Sequence, residues 1–391
     1  MNLAACQQAL DRVLSECRPL WHAQPFREIR PDWCRRWPAL TSHLLELGDG
    51  EQARLADDGE AAAALVARHL REVAVLPELA GVAAGRKASF ADHDRFWDRE
   101  IPGRKRAQIA AFAATVDTSG LPVIDWCGGK GHLGRLLARR WKVPVTTLDS
   151  DPALCADGRD MAARAGVEQD FAVADVTLPG AFLDRGRHAV ALHACGHLHR
   201  VLVARAAPSG LAALDVVPCC YHHGIEGNYR TLSGPLLTVV SGDDARMAVT
   251  EAVTAAPRRV RQRDREMAWK LGFDAWRRLQ DGSDGYRSFR PVPAAWSRGS
   301  FGEFMQLMAQ REKVAVPAAS DMDELERRGW QRQREVMRLS IVRHAFRRPL
   351  EVWLALDLAV RLENDGYAVQ LCRFCERRLT PRNLLISARL R

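Results

Sequence analysis

Four cysteines and four histidines fall where they could act together: Cys127; His193, Cys195 and His197; and the run Cys219-Cys220-Tyr221-His222-His223. A histidine that titrates near neutral pH can take a proton from a hydroxyl acceptor, so His193, His197, His222 and His223 are candidate general bases. Cysteine thiolates offer different chemistry. Cys195 with Cys219 or Cys220 could attack a carbon acceptor covalently, and the same three thiols with a histidine could hold zinc. Cys219 and Cys220 are adjacent, which suits one tetrahedral centre poorly, and no metal ligand is assigned. A third possibility leaves the cysteines as small buried residues at strand ends, with the histidines bonded to backbone. The residues alone leave these alternatives open, with His193, Cys195, Cys219, Cys220 and His222 as the catalytic candidates.

Upstream stands Val123-Ile-Asp-Trp-Cys-Gly-Gly-Lys-Gly-His-Leu-Gly134, an apolar run meeting an acid and then a glycine-rich turn. Glycines let backbone approach a ligand that a Cβ would push away. Lys130 is followed by Gly131 and His132, so the Gly-Lys-[Ser/Thr] ending of a phosphate-cradling loop is absent. A dinucleotide fingerprint has no acid before its glycines. Here Asp125 precedes them, where it could accept a hydrogen bond from an ammonium group. The stretch is similar to the first motif of S-adenosylmethionine (SAM) methyltransferases, acid-x-Gly-x-Gly-x-Gly, with Cys127, Gly129 and Gly131 in the glycine slots. Asp149 closes the next strand at the spacing used to grip ribose hydroxyls, and Asp175 closes a third, placed to receive an adenine amino group. Cofactor contacts are therefore expected at Asp125, Cys127, Gly128, Gly129, Gly131, Asp149, Asp175 and His193, with SAM as the cofactor.

Apolar runs at 121–125, 143–148, 171–174, 188–194 and 213–218 alternate with helical patterns, which implies right-handed crossovers and a parallel sheet. Ligands in such sheets lie at the carboxyl ends of the strands, where the residues above arrive. Further runs at 367–372 and 384–390 predict an antiparallel hairpin. The expected fold class is α/β: a Rossmann-like doubly wound sheet closed by that hairpin, as in class I SAM methyltransferases. The expected division is a helical N-terminal segment (1–100), the SAM-binding core (101–223), a basic helical insertion (224–345) and a C-terminal helix with hairpin (346–391). Helices are expected at 39–47, 61–75, 108–116, 132–141, 245–255, 258–279, 301–310, 323–344 and 350–364. The basic stretch from Asp92 to Val116 precedes the first strand, a place from which such segments lie over the SAM pocket.

Three stretches together resemble one family. Asp125-x-Cys-Gly-Gly-Lys-Gly-His-Leu133, Leu192-His-x-Cys-Gly-x-Leu198 and Cys219-Cys-Tyr-His222 are similar to the methyltransferase-like 25 group, also called the ribosomal RNA adenine dimethylase domain-containing group. The Cys-Cys element also resembles the eukaryotic enzymes that 2′-O-methylate the tRNA acceptor stem, and Leu379-Thr-Pro-Arg-Asn-Leu384 resembles the Leu-Ser-Pro-Arg-Asn of the first group. The resemblance covers roughly residues 100–240 and 345–391. It implies the class I fold, SAM and an RNA acceptor, tRNA or rRNA, with the ribose 2′-oxygen favoured. His193-Ala-Cys-Gly stands where adenine N6 enzymes carry Asn/Asp-Pro-Pro-Tyr/Phe, which disfavours that acceptor. The alternatives are a protein or small-molecule acceptor, cytosine-5 methylation through a cysteine, and a SAM-binding scaffold without activity.

The charge balance bears on the acceptor. The formal net charge is +9, and residues 257–348 hold 21 Lys and Arg against 12 Asp and Glu, an excess equal to that of the whole chain. A basic segment favours an acidic partner such as RNA; the alternative is a self-solvated arginine-rich surface. Trp269, Phe273 and Trp276 share one helical face among the arginines, a spacing more often used for core than for stacking on bases. Ten unevenly spaced cysteines are read as reduced thiols, and Cys372-Arg-Phe-Cys375, with no second pair, as structural. With no 18-residue apolar stretch and no basic-then-apolar leader, a cytoplasmic protein without membrane contact is expected.

Overall fold

The computed structural model describes residues 2–87, 101–178, 182–250, 257–282 and 285–391. Seven strands form one sheet: β1 (Val123–Trp126), β2 (Val145–Asp149), β3 (Gln169–Val173), β4 (His188–Cys195), β5 (Ala213–Cys219), β6 (Tyr367–Arg373) and β7 (Leu384–Leu390). Their order is β3-β2-β1-β4-β5-β7-β6, with β7 antiparallel to both of its neighbours and every other pairing parallel. This is the expected doubly wound sheet closed by a hairpin. Every residue of β1 and of β5 is buried, as parallel strands covered on both faces require. Strand order reverses between β2 and β4, on either side of β1, and sheets of this kind hold their ligand crevice at the carboxyl ends of the strands at such a point.

The pairing of β4 with β5 carries one irregularity. It runs in register from His188↔Ala213 to Leu192↔Val217, then skips His193 and resumes at Ala194↔Pro218 and Cys195↔Cys219. The extra residue is a bulge, which re-aims the side chains beyond it.

Three buried carboxylates fasten this sheet and its surroundings. Asp215 on β5 meets His188 Nε2 at 2.6 Å and the Arg389 guanidinium at 2.8 Å, joining β4, β5 and β7. His188 stacks on Trp141 and meets Ser119 Oγ at 3.1 Å through its other nitrogen. Asp357 accepts the Leu232 and Ser233 amides and the Tyr229 and Ser233 hydroxyls. Asp11, in the first helix (Leu3–Glu16), accepts the Leu237 and Thr238 amides and the Trp353 indole.

The chain forms two compact units: Met1–Glu16, Val75–Glu251 and Arg347–Arg391 in the first, and Cys17–Ala74 with Ala252–Phe346 in the second. The first holds the sheet. The second is helical, and its core gathers Trp269, Phe273, Phe301, Phe304, Met305, Met308 and Leu325, with Trp276 partly buried beside them. Those aromatics are therefore core and are not offered to bases. The helix expected over 323–344 ends instead at Leu339, and a second helix runs Ile341–Asn364 through Pro349. Of the expected 245–255 helix, Gly242–Val249 is observed; residues 251–255 and the Asp92 to Glu100 part of the basic stretch lie outside the described residues. Among the described residues no helix is long and apolar enough to cross a membrane.

Burial alone would raise the Asp215 pKa, but the His188 hydrogen bond and the charges of His188 and Arg389 outweigh it and hold the carboxyl below its ordinary 3.8. Its contribution is thus complete above that value and is lost as pH falls below it. Asp215→Ala should lower unfolding free energy by about 3–5 kcal/mol, the range for breaking a buried ion pair. Denaturant titration at pH 7 measures this, and a loss under about 1 kcal/mol would remove Asp215 as the fastening of β4, β5 and β7.

Candidate active site

The glycine turn between β1 and the helix His132–Trp141 is shaped by what surrounds it. A Cβ on Gly128 would collide with the Asp125 carboxylate, and one on Gly131, whose φ is 62°, with the Gln169 amide. Cys127 takes a left-handed φ of 56°, so it adopts the backbone that the motif normally assigns to glycine. Its thiol is pushed up to about 12, first by burial and then by Asp149 and Asp125, and so stays protonated. Asp125 is 2% exposed, and its Oδ2 accepts the Gly134 amide at 3.1 Å and the Thr147 hydroxyl at 3.3 Å. It therefore braces the turn from below. Burial raises its pKa to about 6, and an ammonium group beside it would draw it back toward the ionised form.

Asp149, at the end of β2, accepts the Gly129 amide on Oδ2 at 2.8 Å and the Asp151 amide on Oδ1 at 3.0 Å. It is half-buried at the carboxyl edge, and its two oxygens keep lone pairs beyond those that the two amides use. Asp175 is exposed and is held by the Thr177 amide and hydroxyl, which lower its pKa. Sequence reasoning missed Thr147 and Gln169, the second of which donates to the Gly131 carbonyl and the Thr147 hydroxyl at 2.9 Å each. A polar residue inside a β-run was the available signal.

The other wall is the end of β4 and β5. Cys195 and Cys219 approach to 3.2 Å between sulfurs, and Cys220 joins them so that all three lie within 4.8 Å of one another. The neighbouring thiols of Cys195 and Cys219 hold the Cys220 pKa below the ordinary thiol value, and the Cys219 thiol is raised by its own neighbours, Cys195 and Cys220. The histidines separate. His199 is buried, donates from Nδ1 to the Ala194 carbonyl and packs edge-on to Tyr221, so it is structural. His197 and His223 are exposed, and their backbones join at 3.1 Å. His222 lies against His223 with ring centroids 4.3 Å apart, and its pKa is lowered, first by burial.

His193 occupies the bulge with φ 64° and is held by a residue that sequence reasoning did not single out. Gln108 donates from Nε2 to the Leu379 carbonyl at 3.3 Å, and its Oε1 meets His193 Nε2 at 3.3 Å. The carbonyl can only accept, which fixes the amide orientation, so Nε2 of His193 must carry the proton. Nδ1 is left as the bare nitrogen, buried and without a hydrogen-bond partner among the described residues. Burial, then the charge of Arg382, lowers the His193 pKa to about 4, so the ring is neutral at physiological pH. Arg382 belongs to the Leu379-Thr-Pro-Arg-Asn stretch, and nothing in the type or spacing of Gln108 marked it.

Residues 104–225 match the model of a family described as a methyltransferase domain. No curated protein matches this chain. Magnesium protoporphyrin IX methyltransferase from Synechocystis PCC 6803 with bound SAH is similar at 10% identity and a TM-score of 0.31, over 73% of this chain and 81% of that one. Coclaurine N-methyltransferase bound to N-methylheliamine and SAH gives 11% identity and a TM-score of 0.28, over 88% and 90%. Likenesses this loose carry nothing about substrate or residue roles.

Asp149→Ala should weaken SAM binding by about 1.5–3 kcal/mol for each charge-assisted hydrogen bond removed. Calorimetry reads this beside the melting temperature, since the Gly129 amide also loses its acceptor. Unchanged affinity in a folded variant would take Asp149 out of the cofactor site.

Proposed function

We propose that this SAM-dependent methyltransferase modifies RNA at a hydroxyl, with the ribose 2′-oxygen favoured. The observation that carries the RNA reading is a row of cations. On the helix Pro257–Asp281, Arg258, Arg259, Arg261, Arg263 and Arg265 are all exposed, and none has an ion-pair partner among the described residues. Farther along the same helix, Lys270, Arg277 and Arg278 are paired with Glu266 and Asp274. A self-solvated surface would pair the first group as it pairs the second. Unpaired guanidinium groups in series are what a phosphate backbone recruits. The likeness of Cys219-Cys-Tyr-His222 to the tRNA acceptor-stem enzymes supports the same substrate class.

The hydroxyl reading rests on His193. Methyl transfer from a sulfonium needs an acceptor held in line, and a hydroxyl acceptor must also give up its proton. Nδ1 of His193 is neutral, bare and fixed by Gln108 at the carboxyl end of β4. It takes the proton as the oxygen–methyl bond forms and the sulfonium–methyl bond breaks, leaving S-adenosylhomocysteine and a methyl ether. Gln108 is a positioning residue in this scheme. Cys127 stays out of the chemistry because its thiol is protonated.

Binding and kinetic measurements test this. Filter binding to bulk tRNA across a salt series should give a falling log–log line, with slope about −0.7 to −0.9 for each phosphate neutralised, and reversing the five arginines to glutamate should flatten it. Absence of RNA affinity at low salt would turn the reading to a protein or small-molecule acceptor. His193→Asn, a side chain that tolerates left-handed backbone, should lower kcat by about 10²–10⁴-fold while SAM affinity persists. In the parent enzyme the acid limb of kcat/KM should lie nearer pH 4 than 6.5, because the lowered pKa keeps the ring neutral over that interval. Full activity in His193→Asn would remove His193 as the base, and covalent trapping by 5-fluorocytosine RNA would replace this mechanism with thiolate attack on cytosine.

A further inference from the structure

The three thiols at the ends of β4 and β5 are unused by a hydroxyl mechanism, and their arrangement is too specific for packing alone. Adjacent side chains in a strand point to opposite faces, so Cys219 and Cys220 should diverge. They do not diverge, because Cys220 leaves the strand with φ 46°, a left-handed value that brings its sulfur round to that of Cys219. The bulge at His193 acts likewise on β4, shifting the register so that Cys195 pairs with Cys219. Two strained left-handed non-glycine residues thus converge on one cluster. Small apolar packing would need neither.

We infer that Cys195, Cys219 and Cys220 form a three-thiolate site for a thiophilic divalent cation of the zinc class, with the fourth position open to water or an entering group. Zinc binds thiolate sulfur at about 2.3 Å, which places tetrahedral sulfurs about 3.8 Å apart. The three sulfurs, within 4.8 Å of one another and with one pair at 3.2 Å, enclose such a point with small rotamer changes. No histidine nitrogen or carboxylate of the described residues joins the cluster, so the donor set is three sulfurs. Soft ligands of this kind select zinc or copper(I) over magnesium or calcium. Cys195 and Cys220 are half-buried, which leaves a path for the ion. The site is independent of the acceptor, because an ion can be held whether or not RNA is the substrate.

The full chain, reduced and stripped with a chelator, is dialysed against Zn²⁺ or Co²⁺ and its metal content measured by mass spectrometry. One ion per chain is expected, with intense thiolate-to-cobalt charge-transfer absorption in the Co²⁺ form. Cys195→Ser with Cys219→Ser should abolish both, whereas Cys372→Ser with Cys375→Ser should leave both in place. Should the first variant fail to fold, the parent chain still decides: bound Zn²⁺ should shield Cys195 and Cys220 from iodoacetamide, read by peptide mass spectrometry. The inference is overturned by a folded parent that takes up no metal, by alkylation that Zn²⁺ does not alter, by uptake that survives in Cys195→Ser/Cys219→Ser, or by a Cys195–Cys219 disulfide in the freshly isolated chain.

Discussion

The site depends on a backbone constraint: at the carboxyl ends of β1, β4 and β5 the chain passes through left-handed conformations at Cys127, His193 and Cys220, none of them glycine. Such conformations persist only where their surroundings over-determine them. Here the Gly196 amide donates to the Cys219 carbonyl at 2.9 Å, the His223 amide to the Cys220 carbonyl at 2.9 Å, and the His197 amide to the His223 carbonyl at 3.1 Å. These bonds lock the two strand ends together. They also set which side chains face the crevice, since each reversal sends the following residue to a different side.

A second consequence is electrostatic. Burial drives the groups around the crevice toward their neutral forms: Asp125 upward to about 6, Cys127 upward to about 12 and His193 downward to about 4. Buried Asp125 would regain its charge beside a cation, because an opposite charge nearby favours the ionisation that burial opposes. The same burial leaves Nδ1 of His193 without a hydrogen-bond partner among the described residues.

The support for this crevice comes from far along the chain. Asp11 and Asp357 each gather several amides and polar side chains, so that residues 1–16, the loop after β5 and the C-terminal helix form one unit with the sheet. Arg382, on the loop between β6 and β7, donates to the Val249 carbonyl at 3.4 Å, and its charge helps to lower the His193 pKa. The exposed arginine row lies on the other unit, whose aromatics are spent on its own core.

Much of this was legible from residue order, because strands and glycine turns are local. The apolar runs, the acids closing β1 and β2, the turn at 125–134 and the final hairpin all follow from side-chain period and turn chemistry over a dozen residues or fewer. They determine a doubly wound sheet closed by an antiparallel hairpin, with a glycine turn at the carboxyl end of β1. What only the tertiary structure decided is long-range. That residues 17–74 pack with 252–346, that Gln108 holds the tautomer of His193 and that Asp175 stays exposed depend on contacts without a sequence period. Adjacency in sequence suits Cys219 and Cys220 poorly to one tetrahedral centre, yet a left-handed φ at Cys220 accompanies three sulfurs within 4.8 Å of one another. Non-glycine residues adopt such a φ when distant hydrogen bonds compel it, and those bonds exist only once β4 and β5 are side by side.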